Sequence, residues 1–150
     1  MGASAAGTFA SLILSRAGHD VLFDRDPLNI APDVESAASS AFRSGAPQLA
    51  QPHVLLPLVR ELLIEHLTHV YQALLGAGVQ EAPISTQMPP SLSDRSPHAG
   101  DDRLTLLMTR RSTLDWVLHR SIANQPNIES RFGMRITGLT SSSAKSQARF

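Results

Sequence analysis

Glycines frame the run Gly2-Ala-Ser-Ala-Ala-Gly7, and seventeen residues further on the apolar stretch Val21-Leu22-Phe23 ends in Asp24. That is the spacing with which a βαβ unit opens onto a dinucleotide. It places three demands on the backbone: a tight turn at Gly2, close approach to a pyrophosphate near Ser4, and close helix-to-strand contact at Gly7. The helix that begins there aims its unbonded N–H groups, those of Ala5 and Ala6 included, and the positive end of its dipole at phosphate oxygens. Asp24 is then placed to accept a hydrogen bond from a ribose hydroxyl. The chain begins at Met1, so the strand that should carry the turn is missing, and the reading is of a domain without its first strand.

Two other readings fit the same residues. Ser4 stands where the strict pattern has its second glycine, so a small-residue helix start that serves packing alone satisfies the pattern too. Gly2-x-Ser4-x-Ala6 also matches the strand-turn-helix elbow of a serine hydrolase with Ser4 as nucleophile, although an elbow has no use for Gly7 or Asp24.

Composition removes several classes of partner. The 150 residues carry 13 basic and 13 acidic side chains spread along the chain, which leaves no electrostatic footprint for nucleic acid or an anionic membrane. Cysteine is absent, so disulfides, thiolate metal sites and redox dithiols are excluded, and a cytoplasmic location is expected. The apolar stretch from Ala5 to Leu14 is too short for a bilayer and has no preceding positive charge. His66 and His69 are three apart on an expected helix, but no carboxylate at a metal-binding spacing accompanies them, and no metal is expected.

The periodicity predicts a helix from Ala3 to Arg16 with Phe9, Leu12, Ile13 and Ala17 on one face, stopped by Gly18. A short buried strand follows at Val21 to Asp24, then a long loop from Asn29 to Gln51. Pro57 opens a leucine-striped helix that runs to Gly76 with a bend near His66 to Thr68. An irregular, proline-rich excursion covers about residues 79 to 103. Leu104 to Thr109 reads as a strand, Thr113 to Ala123 as a helix, and Arg135 to Leu139 as a strand. Residues 1–140 are then one partial domain, and the Ser-rich stretch 141–150 is a tail expected to be disordered. The order of elements implies an α/β, doubly wound, Rossmann-like sheet that is incomplete. Tyr71 and Trp116 are expected to fill core space.

Further blocks make a family resemblance specific. Arg43-Ser-Gly45-Ala-Pro47-Gln48, followed by His53 and a helix ending Leu75-Gly-Ala-Gly78, resembles the N-terminal part of FAD-dependent monooxygenases and related oxidoreductases. These are the flavoproteins similar to aromatic hydroxylases, squalene epoxidases and geranylgeranyl reductases. Thr109-Arg-Arg111-Ser-Thr-Leu114-Asp115-Trp116, then Pro126-Asn127-Ile128, then Arg135-Ile136-Thr-Gly138-Leu139, continue the likeness in order.

The resemblance implies an FAD-binding domain in which Gly2, Ser4, Ala5, Ala6 and Gly7 cradle the pyrophosphate, Asp24 holds the adenosine ribose and Arg25 flanks it. It implies further that Arg43 and Arg111 contact the ribityl or pyrophosphate part, with Arg110 as an alternative to Arg111, and that the backbone of Ile136 passes the adenine. His53 falls in a segment that approaches the flavin and substrate in such enzymes, while a structural histidine at a helix start fits the residue equally well. In the full-length enzyme the implied partners are NADPH or NADH as electron donor and a small apolar or aromatic substrate. The Gly-Asp motif and substrate-covering sheet of the family are not in these 150 residues, so the chain is expected to be truncated at both ends and inactive alone, and a non-catalytic fragment with weak or no nucleotide binding is the alternative.

Overall fold

The computed structural model describes residues 4–25, 30–40, 49, 51–132, 138–142 and 145–149. Among the described residues the fold is mixed α/β, with a two-stranded parallel sheet, a three-stranded antiparallel sheet and a two-stranded antiparallel pair. Two compact units divide it, residues 1–30 with 118–150, and residues 31–117.

In the first unit, α1 (Ala5–Arg16) packs against β1 (Val21–Arg25), which pairs in parallel with β5 (Ile128–Phe132) so that Val21 faces Ile128 and Asp24 faces Arg131. Ser4 caps α1, its hydroxyl accepting from the Gly7 N–H at 3.2 Å. At the other end Gly18, at φ +84°, turns the chain: its N–H donates to the Ser15 carbonyl and that of His19 to the Leu14 carbonyl. That is a Schellman stop, which needs a residue free to adopt positive φ.

The buried side of α1 is rotated from the expected one. Thr8, Ser11, Leu12 and Ser15 are buried, whereas Ile13 is 45% exposed and Ala17 is exposed as well. The polarity of the small hydroxyl residues on this side is satisfied locally. Thr8 donates to the Ser4 carbonyl at 2.9 Å and Ser11 to the Gly7 carbonyl at 2.8 Å. Asn127, just before β5, completes the joint: its Nδ2 donates to the carbonyls of Ser15 at 2.9 Å and His19 at 2.8 Å, and its Oδ1 accepts from the Ser15 hydroxyl. The Asn127 carbonyl also accepts from the Val21 N–H at 2.9 Å, which starts the parallel ladder.

The strand expected at Arg135 to Leu139 lies mostly outside the described residues, and its last two residues, Gly138 and Leu139, are in a strand. Residues 133–137 lie outside the described residues, β5 precedes them, and β6 (Gly138–Ser142) follows, paired antiparallel with β7 (Lys145–Arg149). The Ser-rich end expected as a disordered tail therefore contains an antiparallel pair, a pairing made by backbone groups and so invisible to an apolar pattern.

In the second unit, α2 (Val34–Ser40) lies within the segment expected as a loop. Asp33 caps it, with Oδ1 accepting from the Ser36 N–H at 2.7 Å and Oδ2 from the Ser36 hydroxyl at 2.9 Å. β2 (Pro52–Leu55) and β3 (Gln80–Pro83) flank β4 (Thr105–Arg110), both antiparallel to it. The strand read at Leu104 to Thr109 is thus the centre of a separate antiparallel sheet. α3 (Pro57–His66) and α4 (Thr68–Gly76) are split at Leu67, whose φ of −137° and ψ of 48° break the helix at the expected bend. His66 and His69 therefore belong to different helices.

Leu55, Leu63, Leu67, Val70, Leu74 and Leu107 are buried in this unit. Tyr71 is buried too, and its hydroxyl donates to Glu81 Oε1 at 2.6 Å, an oxygen that also accepts from Arg60 Nε at 2.6 Å. That network ties α3, α4 and β3 together. α5 (Arg111–Ala123) follows β4 without an intervening residue and continues into the first unit. Among the described residues no helix is long and apolar enough to cross a membrane.

Candidate functional site

In the first unit the N-terminus of α1 and the carboxyl end of β1 lie at one end. The chain reverses over residues 17–20, and Asn127 holds the last turn of α1 beside the start of β1 and β5. Twelve helical residues rise about 18 Å and five strand residues about 16 Å, so α1 and β1 are of similar length. The first helical N–H groups, those of Ala5 and Ala6, have no intrahelical acceptor, and Ser4 and Ala6 are exposed. A helix N-terminus whose first N–H groups lack intrahelical acceptors is a donor set suited to phosphate oxygens. The side chains of Asp24 and Arg25 lie outside the described residues, as do Gly2, Arg43 and Ile136 entirely.

The second unit has a cavity of about 400 Å³ at the carboxyl end of β4, where β2 and β3 begin and α5 starts. Its polar lining comes from Glu35, His53, Gln80, Thr109, Arg110 and Thr113. Pairing in the sheet sets His53 directly across from Thr109, and Gln80 across from Met108. Arg110 extends to Glu35 on α2 as a fork, Nη2 donating to Oε1 at 2.6 Å and Nη1 to Oε2 at 3.3 Å. The Arg110 guanidinium holds the Glu35 carboxyl below the usual carboxylate range. Arg111 turns elsewhere: its Nε donates to Asp115 Oδ1 one helical turn on, at 3.0 Å, and the two side chains are only 16% and 9% exposed. Its own N–H donates to the Gln51 carbonyl at 3.2 Å, joining the start of α5 to the start of β2. Trp116 is half-buried and donates from Nε1 to the Ala31 carbonyl at 2.9 Å, a polar tie beyond the packing role expected of it.

His53 is half-buried and held below its ordinary pKa, first by burial and then by the Arg111 guanidinium, with Asp115 acting in the opposite sense. The imidazole is therefore neutral at pH 7, an acceptor at one nitrogen and a donor at the other. A histidine depressed below 6.5 contributes stability that is present above that value and is lost as pH falls through the folded value. Replacing His53 with Gln should flatten the decline in stability between about pH 7 and about pH 5, as measured by urea midpoints. Parallel declines in wild type and variant would remove this role.

One of the lining groups carries a local signal in the sequence: Glu35 lies within the Asp33-x-x-Ser36 capping stretch, whereas Thr113, expected to open a helix, is the third residue of α5. Gln80 had none, since its strand is polar and paired by backbone alone. Among the described residues no group of three or more His, Cys, Asp or Glu could hold a metal. No protein-family model matches the chain, and no curated protein matches it.

Proposed function

We propose that this chain is the FAD-binding segment of a flavin-dependent oxidoreductase of the monooxygenase type, built on a Rossmann-like, doubly wound sheet of which β1 and β5 are neighbouring strands. The reading is supported chiefly by one arrangement: α1 opens on a solvent-facing, Ser4-capped N-terminus at the same end as the carboxyl end of β1, where Asp24 stands. The amides of Ala5 and Ala6 would take the pyrophosphate, with Gly2 and Gly7 giving the backbone room, and Asp24 the ribose, flanked by Arg25. Bound FAD would supply two-electron chemistry with a nicotinamide donor. The protein's part is to bind and orient it.

Titration of the chain with FAD, followed by flavin fluorescence, tests this. FAD is expected to bind, ADP to compete and riboflavin, which lacks the pyrophosphate and adenosine, not to compete. Asp24→Ala should weaken FAD about tenfold or more, the equivalent of one lost charge-assisted hydrogen bond. No binding, or equal affinity in the variant, would overturn the assignment.

A further inference from the structure

The cavity at the carboxyl end of β4 belongs to residues 31–117 and does not depend on the dinucleotide reading. Its size falls within the range of small-molecule pockets, roughly 300 to 1,000 Å³. Among the described residues that line it, Arg110 is the cation, because His53 is neutral at pH 7. Its apolar lining comes from Pro52, Ala77 and Met108, the last 41% exposed.

Arg110 already displays carboxylate recognition: the Glu35 carboxylate meets it through two N–H donors. That pair is mostly in water, with Arg110 45% and Glu35 76% exposed, and pairs of this kind contribute roughly 0 to 1 kcal/mol. Glu35 is also carried on a helix of only seven residues. Exchange of one carboxylate for another on Arg110 is therefore inexpensive. Thr109, Thr113 and Gln80 add hydroxyl and amide groups around the same space, and Met108 and Pro52 offer contact to a short apolar body. One guanidinium matches one negative charge rather than two.

We propose that this cavity binds a small monocarboxylate with a short apolar body, and that the Glu35 carboxylate occupies Arg110 until such a ligand displaces it.

Hexanoate is a suitable probe, titrated at low salt into the full chain without FAD and followed through the backbone amides of Gln80, Arg110 and Thr113 by NMR. Those amides should shift with saturation in the millimolar range. Glu35→Gln should tighten hexanoate about two- to fivefold, since it removes the competing charge. Arg110→Met should weaken it about tenfold, and Arg110→Lys, which keeps the charge and loses the fork, should fall between. Both sites are exposed, and far-UV circular dichroism should match wild type. Unmoved amides, or hexanoate binding that neither variant alters, would overturn the proposal. Equal binding of acetate would remove the apolar body from it, and tighter binding of inorganic phosphate would overturn its preference for a single charge.

Discussion

Asn127→Ala should lower the stability of the chain by about 2 to 3 kcal/mol. The change removes three hydrogen bonds at once: those to the carbonyls of Ser15 and His19 and that from the Ser15 hydroxyl. A typical net value is about 1 kcal/mol for each bond, and Ser15 is buried, so its hydroxyl has little water to turn to. Asn127→Asp discriminates between lost packing and lost donation. Aspartate keeps the shape and the acceptor but, ionised, sets an oxygen against two carbonyl oxygens. It should therefore be at least as destabilising as alanine at pH 7 and recover in part at low pH, where the acid can donate. Urea midpoints that match wild type in either variant would mean that Asn127 does not hold α1 to the strands.

The Asn127 joint also marks where reading the sequence stops. Residue types that act locally were legible: Gly18 as a helix stop, Pro57 as a helix start, and the break at Leu67 between two leucine-bearing helices. Val21 to Asp24 was legible because an apolar run between a glycine turn and a proline has few other uses. What escaped were strands held by pairing rather than by pattern. β3 reads Gln-Glu-Ala-Pro, polar and exposed, and is a strand only because β4 lies beside it. β5 reads Ile-Glu-Ser-Arg-Phe, with apolar residues at its two ends alone, and exists through β1. α2 has no apolar stripe, and its cap was its only announcement.

The site divides along the same line. The helix after the glycine run and the helix after β4 were readable from spacing, although α1 opens after Ser4 rather than at Ala3 and α5 opens at Arg111 rather than at Thr113. The distribution of partners between neighbouring arginines was not. Residues 110 and 111 straddle the junction of β4 and α5, so their side chains leave in different directions, one to Glu35 in water and the other to Asp115 in the interior. Spacing sees two adjacent cations; only the fold decides which is offered to a ligand. Arg110, more exposed and held by a weaker pair, is the one so placed.

Arg111 carries the second large effect. Asp115→Ala should destabilise the chain by about 2 to 4 kcal/mol, because it leaves a largely buried guanidinium without the carboxylate opposite its Nε. Replacing both partners, Arg111→Met with Asp115→Leu, should cost less than Asp115→Ala alone, since no uncompensated charge then remains inside. His53 reports on the same pair from the cavity side. Arg111 lowers its pKa and Asp115 raises it, so the single variants must move it in opposite directions: Arg111→Met upward, Asp115→Ala further downward. An NMR titration of the His53 ring separates these from any general loosening, which would carry the imidazole toward its ordinary value in both. Shifts of one sign in the two variants would mean that the pair does not set the charge state of His53, whatever its effect on stability.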